Sequence, residues 1–152
     1  STPIKSSAAS DVYKRQERTY DENLTEATSI ADVCNVSREK VFKTLVLIGN
    51  DKNHYVCVIP SYAHLNLKKA AKAFNIKNIE MIPQKDLLPL TGYVHGGCSP
   101  IGMKKSFKTL IHQKAEEENT ICISGGKKGY QVELSLDDLK KIVNFTLADI
   151  IE

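Results

Sequence analysis

The chain has 152 residues, the size of one domain, and a domain of this length buries roughly two-thirds of its unfolded surface without disulfides or metals. Hydrophobic residues make up 41% and charged residues 26%, as in soluble globular proteins, and no apolar run approaches the roughly 20 residues that span a bilayer. The formal net charge of +3 is too small to indicate a nucleic-acid-binding protein by itself.

The first residues show neither helical nor strand periodicity, so we assign residues 1–16 as an uncertain or disordered N-terminal segment and residues 17–152 as a single domain. The start also lacks the charged and then apolar pattern of a signal peptide, and we expect a cytoplasmic protein. From residue 25, apolar side chains recur with helical spacing and predict a short helix that ends near Asn35.

Two β-branched and aromatic runs, residues 41–48 and 54–60, are separated by a turn-rich loop and predict a β-hairpin. Strand alternation places Lys43, inside the first run, on the same face as Leu45 and Leu47. A lysine there either leans out to solvent, which is the commoner case, or points into a pocket where its ammonium meets an anion. The leucine neighbours favour the pocket.

The predicted elements that follow are shorter. Asn66 is expected to cap a helix with Leu67, Ala70, Ala71 and Phe74 on its apolar side. Next come a strand at residues 79–82, a helical turn at residues 84–90 stopped by Pro89, and a strand at residues 93–95.

The second half of the chain is predicted to be rich in strands. We predict strands at residues 107–111, 120–124 and 131–134, a helix or turn at 112–118, a helix after the capping residues Ser135 and Asp138, and a final segment at 145–151. Strands outnumber helices, and hairpins dominate. The sequence therefore predicts an α+β fold with a mixed, largely antiparallel and partly barrel-like sheet and packed helices.

Two glycine clusters are the strongest candidates for a site: residues 96–102, Gly-Gly-Cys-Ser-Pro-Ile-Gly, and residues 124–129, Ser-Gly-Gly-Lys-Lys-Gly. Glycine permits positive φ and close approach to a ligand, while Pro100 stiffens the loop. Amides that point the same way bind a phosphate, a carboxylate or an oxyanion. A plain turn would explain one glycine pair, but the second cluster and Lys43 favour a site. The second cluster lacks the spacing of a nucleotide P-loop.

Lysines are concentrated near the two glycine clusters. They form either a rim that attracts phosphates or an ordinary solvated surface, and charge alone favours the solvated surface. The residues are Lys104, Lys105, Lys108, Lys127 and Lys128.

The four cysteines, Cys34, Cys57, Cys98 and Cys122, occur singly, which argues against a zinc site and against a disulfide framework. Only Cys98 lies near the predicted chemistry. His95 lacks a neighbouring Ser or Cys with an Asp partner, so we assign it a supporting role.

Three segments, residues 41–46, 96–102 and 124–129, resemble in residues, order and spacing the signatures of the YbaK/EbsC family. These are trans-editing aminoacyl-tRNA deacylases related to the editing domain of bacterial prolyl-tRNA synthetase. The resemblance extends from about residue 20 to about residue 150. The departure is at the start, where the family has an amphipathic helix and then a strand, and here only residues 12–20 offer that strand.

The resemblance implies hydrolysis of the ester between a wrongly attached amino acid, typically cysteine, and the 3′ ribose of proline tRNA, without cofactor or metal. It assigns catalysis to Lys43 and to the amides of Gly96 and Gly97, with the substrate's own thiol attacking the ester and Cys98 only filling the loop. The residues assigned to substrate binding are Thr44, Ser99, Pro100, Gly102, Ser124 and Gly125. Those assigned to tRNA phosphates are Lys104, Lys105, Lys127 and Lys128.

The implied partners are the aminoacylated 3′ end of tRNA and prolyl-tRNA synthetase, with no membrane, and the oligomeric state stays open. Other functions also stay open. An Ala-tRNA(Pro) deacylase would use water as the nucleophile. A non-catalytic tRNA- or synthetase-binding module would keep the lysines without needing the glycine loop, and a small-molecule hydrolase would need the loop without the lysines. The presence of both features favours editing.

Overall fold

The computed structural model describes residues 37–152 and the backbone of Gln16–Thr19. The strands in this part of the chain are β1 (Gln16–Thr19), β2 (Phe42–Gly49), β3 (His54–Pro60), β4 (Ile79–Met81), β5 (Lys108–His112), β6 (Ile121–Ser124), β7 (Tyr130–Leu134) and β8 (Phe145–Ala148). The α-helices are α1 (Leu67–Ala73), α2 (Leu87–Thr91) and α3 (Leu136–Lys140), and 3₁₀ turns occupy Arg38–Lys40, Gln84–Asp86 and Gln113–Glu117. The helix predicted for residues 25–35 lies outside the described residues, while β1 falls within the segment predicted as the first strand.

The strands form two sheets. The larger has the order β4-β2-β3-β5-β8, with antiparallel pairs around β2 and parallel pairs of β5 with β3 and β8. The smaller has the antiparallel order β1-β7-β6. A parallel bridge between Val41 and Cys122 joins them. The predicted α+β class with a largely antiparallel sheet is confirmed, although the described strands do not close into a barrel.

The two faces of β2 pack into different cores. Phe42 and Val46 lie in an inner core together with residues of the smaller sheet, such as Ile123, and with Ile101 of the first glycine cluster. Leu47, on the opposite face, packs in an outer core beneath α1 with the side chains Tyr55, Cys57, Ile59, Ala70 and Phe74. Burying one such aliphatic side chain contributes about 1.5–3 kcal/mol. The inner core therefore fixes the first glycine cluster against β2 and the smaller sheet.

Side-chain caps start two of the helices as predicted. The Asn66 side chain accepts a hydrogen bond from the Lys69 amide at 3.0 Å, and the Ser135 hydroxyl accepts one from the Asp138 amide at 3.1 Å. The apolar side of α1 is narrower than predicted, because Leu67 in its first turn is 41% exposed. None of the helices within residues 37–152 is long and apolar enough to cross a membrane.

Two predictions for the segment before the first glycine cluster are wrong. Pro89 does not stop α2 but lies within it, in the first turn, where a backbone N–H has no helical acceptor and its loss costs little. The helix ends instead at Gly92, which has φ of 87°. The strand predicted at residues 93–95 is also wrong. The backbone there makes tight turns, with the Tyr93 amide donating to the Thr91 hydroxyl at 3.0 Å and the Gly97 amide to the Val94 carbonyl at 2.9 Å.

A buried histidine connects β5 to the C-terminal residues. His112 is only 3% exposed, and its Nδ1 accepts a hydrogen bond from the Ile150 amide at 3.3 Å. Burial lowers the pKa of His112 below 6.5, despite the Asp149 carboxylate 3.8 Å away. The hydrogen bond from Lys69 keeps the pKa of Asp149 below 3.8, so that carboxylate stays charged at neutral and mildly acidic pH.

We expect the melting temperature to fall as the pH drops below about 6.5. At such a pH His112 is protonated more readily in the unfolded chain than in the folded chain, where burial favours the neutral form. His112→Asn keeps an acceptor for the Ile150 amide but does not titrate, so its melting temperature should depend less on pH between ~7.5 and ~5. His95→Gln, at an exposed position, is the control. An unchanged pH dependence in His112→Asn would contradict this role.

Candidate active site

The start of β2 lies beside β6, the strand that leads into the second glycine cluster. The bridge between Val41 and Cys122 is parallel, and strand alternation places Lys43 on the same face as Val41 and Ser124 on the same face as Cys122. The Lys40 ammonium strengthens this junction with a hydrogen bond to the Thr120 carbonyl at 3.3 Å. The fold thereby brings Lys43 to the entrance of the second glycine cluster.

Lys43 is half-buried, and no carboxylate within residues 37–152 pairs with its ammonium. Loss of hydration lowers its pKa from 10.5, and no other cause contributes to the shift. A partly desolvated cation without an acidic neighbour gains from any anionic or carbonyl oxygen that a ligand brings. Lys43 is therefore available to bind a substrate.

The backbones of the two glycine clusters contact each other at Gly97. A Cβ atom at this position would lie 2.9 Å from Lys127 Cα and 3.0 Å from the Lys128 nitrogen, which is closer than real Cβ contacts. Positive φ is found at other glycines of the two clusters, namely Gly96, Gly102, Gly126 and Gly129. Gly97 is thus required for close approach, while Gly96 and Gly102 supply the turns of the first loop.

Some amides of the first glycine cluster are used within the loop and others are not. The Gly97 amide closes a turn with the Val94 carbonyl, and the Ile101 amide donates to the Ser99 hydroxyl at 3.1 Å. The amides of Gly96, Cys98 and Ser99 donate to no acceptor in the described part of the chain. Because Ser99 is fully buried, the amides of Gly96 and Cys98, rather than that of Gly97, are the candidate donors for an oxyanion.

Two hydroxyl groups near the start of β2 are shielded from solvent without a hydrogen-bond partner among residues 37–152: those of Thr44 and Ser61. Alternation places Thr44 on the inner-core face of β2, opposite to Lys43. Ser61, whose amide donates to the Val41 carbonyl at 2.8 Å, extends the ladder on the Lys43 face. Because an unpaired buried hydroxyl costs about 1–3 kcal/mol, both are candidate contacts for a ligand. Ser61 was missed because only the strand register reveals its place.

Two of the three remaining residues of the first cluster that were predicted to bind substrate are buried. Ser99 is fully buried, Pro100 is buried, and Gly102 is exposed at the far end of the loop. In the second cluster, the Gly125 amide donates to the Tyr130 carbonyl at 2.9 Å and closes that loop. The predicted roles of these four residues in binding substrate remain predictions.

The predicted lysine rim is divided between two places. Lys127 and Lys128 adjoin Gly97, with the Lys127 ammonium 4.6 Å from the centre of the Tyr130 ring. Lys104 and Lys105 are exposed beyond the other end of the first cluster. A bound nucleic acid would therefore meet positive charge on both sides of the loop.

Cys98 packs in the inner core, and burial raises the pKa of its thiol to about 12. The thiol is thus protonated at neutral pH, and His95 beside the loop is exposed. We expect Cys98→Ala to retain most of the catalytic activity, because a protonated thiol is a poor nucleophile and alanine fits the same space. Steady-state hydrolysis rates check this. A Cys98→Ala protein that is folded but inactive would show that the thiol takes part in the reaction.

Comparison with known proteins gives consistent similarities. The family model of the aminoacyl-tRNA editing domain matches residues 21–142. A protein of Enterococcus faecalis, EbsC, described as a candidate Cys-tRNA(Pro)/Cys-tRNA(Cys) deacylase, is 42% identical over 138 residues, which cover 91% of this chain and 84% of that protein. A proline–tRNA ligase of Thermosipho africanus is 23% identical over 88% of this chain but only 24% of the ligase.

Among solved structures, that of a candidate trans-editing enzyme for prolyl-tRNA synthetase has a TM-score of 0.80 at 18% identity, covering 92% of this chain and 87% of that one. At 18% identity this similarity shows that the two proteins share a fold.

Proposed function

Since the chain belongs to the aminoacyl-tRNA editing domain family, we propose that it removes cysteine wrongly attached to proline tRNA. The chain is an aminoacyl-tRNA deacylase, and the specific substrate and mechanism are the proposal. The 42% identity to EbsC supports Cys-tRNA(Pro) as that substrate. The similarity to part of a proline–tRNA ligase supports prolyl-tRNA synthetase as the enzyme whose errors are cleared.

The observation that supports the mechanism best is the backbone contact of the two glycine clusters at Gly97, beside unpaired amides. The contact holds the first loop in one conformation, so its donors need no reorganisation when charge develops on the ester oxygen. Hydrolysis of an ester passes through such an oxyanion. The amides of Gly96 and Cys98 would stabilise it.

Cys98, the cysteine of this loop, is buried and protonated and so is not an activated nucleophile. We assign the attack to the substrate's thiolate sulfur, which bonds to the ester carbon and forms a four-membered thiolactone. The bond from that carbon to the ribose oxygen breaks, and the 3′ oxygen leaves with the proton given up by the thiol. Water then opens the thiolactone to free cysteine. The protein's part is orientation and charge stabilisation.

Lys43 is proposed to hold the polar atoms at the reacting end of the substrate. Lys43 follows the bridge between Val41 and Cys122 by two residues and pairs with no described carboxylate, so an ester or terminal phosphate oxygen would be the partner of its ammonium. The shielded Ser61 hydroxyl on the same face is a second donor. A flexible lysine suits this role because it presents a compact point charge.

The proposed substrate is tested by incubating the protein with a panel of charged tRNAs. The panel contains Cys-tRNA(Pro), Ala-tRNA(Pro), Cys-tRNA(Cys) and the correct Pro-tRNA(Pro), each followed by release of the amino acid. We expect cysteine to be released from the proline tRNA while proline stays attached. Faster hydrolysis of Pro-tRNA(Pro) than of Cys-tRNA(Pro) would exclude an editing role, and preference for Ala-tRNA(Pro) would identify the alternative substrate.

A further inference from the structure

Two neighbouring clefts lie on the Gly102 side of the first glycine cluster. One cleft of about 270 Å³ is lined by residues 100–103, by residues 105–107 and Thr109, and by residues 142–144. A second cleft of about 350 Å³ shares the lining residues 105–107 and extends to residues 52–55, in the turn between β2 and β3. Because residues 105–107 line both clefts, a strand of ligand that starts at the glycine loop would pass over this segment to reach the second cleft. We call Lys52, His54, Lys105, Phe107 and Lys108 the lysine groove.

The charged residues that line the lysine groove are all basic. Lys52, Lys105 and Lys108 are exposed, and no carboxylate within residues 37–152 forms an ion pair with any of them. The lining residues described for both clefts include no Asp or Glu. The nearest acidic side chain in sequence, Asp51, already accepts hydrogen bonds from the Asn53 amide and the Tyr55 hydroxyl. The charge of the groove is therefore available to a polyanion.

The groove also contains two aromatic rings. His54 and Phe107 are half-buried and meet edge to face, with their ring centres 6.1 Å apart. Lysines alone would fit the phosphates of a duplex equally well. Rings beside a line of lysines fit a single strand, whose unpaired bases stack on aromatic faces while its phosphates meet the charges.

We infer that the lysine groove binds the unpaired nucleotides at the 3′ end of the tRNA and guides them to the first glycine cluster. This inference rests on the proposed function and adds Lys52, His54, Phe107 and Lys108 to the residues that contact RNA. Stacking on Phe107 would hold one base. Lys52 and Lys108, which line the same cleft as that ring, would hold the neighbouring phosphates.

The test uses uncharged RNA hairpins, so that it does not depend on the deacylation reaction. One hairpin has an unpaired ACCA 3′ end and the other is blunt, and binding is measured by fluorescence anisotropy over a range of salt concentrations. We expect tighter binding of the hairpin with the unpaired end. Lys52→Ala/Lys108→Ala should weaken it, and the log–log salt slope should fall by roughly 1.4, about 0.7 for each lost contact with a single strand. The control Lys68→Ala/Lys85→Ala removes two exposed lysines outside both clefts.

Phe107→Leu keeps an apolar side chain in the half-buried site and removes the ring. It should lower affinity for the ACCA hairpin roughly five-fold or more without changing the salt slope, and His54→Ala provides a second test of stacking. Equal affinity of the unaltered protein for both hairpins, or an unchanged salt slope in the double lysine variant, would overturn the inference. Failure of the unaltered protein to bind either RNA would also overturn the inference, whereas the proposed function is tested separately by release of cysteine from Cys-tRNA(Pro).

Discussion

Lys43→Met should lower the deacylation rate by about 100-fold or more while the protein stays folded. The methionine side chain retains the apolar stem on β2, so only the ammonium is lost, and removal of one group that stabilises a developing charge typically costs about 10²–10³-fold in kcat. The melting temperature should stay the same or rise, because the ammonium is partly desolvated and has no carboxylate partner in the described residues. Single-turnover hydrolysis and a thermal melt measure both effects.

Lys68→Met, at an exposed position of α1, is the matched control and should change neither quantity. Lys43→Arg should restore activity only in part, since a planar guanidinium does not replace a compact ammonium in a small site. Wild-type rates in a folded Lys43→Met protein would exclude the proposed role of Lys43. A large loss of stability in that variant would instead indicate that the ammonium supports the fold.

Gly97→Val should abolish most of the activity for a different reason. Its Cβ would meet backbone atoms of Lys127 and Lys128 at about 3.0 Å, and a backbone cannot move aside as a flexible side chain can. The two glycine clusters would have to separate, and a displacement of about 1 Å at a reacting centre can cost about 10²-fold in rate. We expect kcat/KM to fall at least that far.

Gly97→Ala makes the same contact with one carbon and should show a smaller loss in the same direction. Cys98→Ala, one position further along the same loop, controls for general loop damage. Positive φ does not explain the effect, because the neighbouring Gly96 has positive φ and Gly97 does not. A folded Gly97→Val protein with the activity of Cys98→Ala would show that the contact between the two clusters is not needed for catalysis.

Elements defined by neighbouring residues were predictable from the sequence. The hairpin of β2 and β3 follows from two β-branched runs, and the Asn66 and Ser135 caps follow from the residue types that bond backbone amides at helix starts. The two glycine clusters were recognisable because their composition does not suit regular structure. These patterns depend on spacing along the chain.

Contacts between distant segments were not predictable. The parallel bridge of Val41 with Cys122 and the contact of Gly97 with Lys127 join residues far apart in sequence, and no local pattern specifies them. The position of Pro89 inside α2 was missed for another reason: proline is accepted in the first helical turn, and the sequence did not show where that turn begins. The lysine groove likewise appears only when the turn before His54 meets the segment around Phe107.

The most direct test of the mechanism compares the unaltered protein on one proline tRNA charged with cysteine and with alanine. Alanine fits the same space but has no thiol, so a mechanism in which the substrate attacks its own ester predicts that cysteine is released faster by ~10²-fold or more. The measurement is the single-turnover rate at saturating protein. Equal rates for the two amino acids would contradict this mechanism and would identify water as the nucleophile.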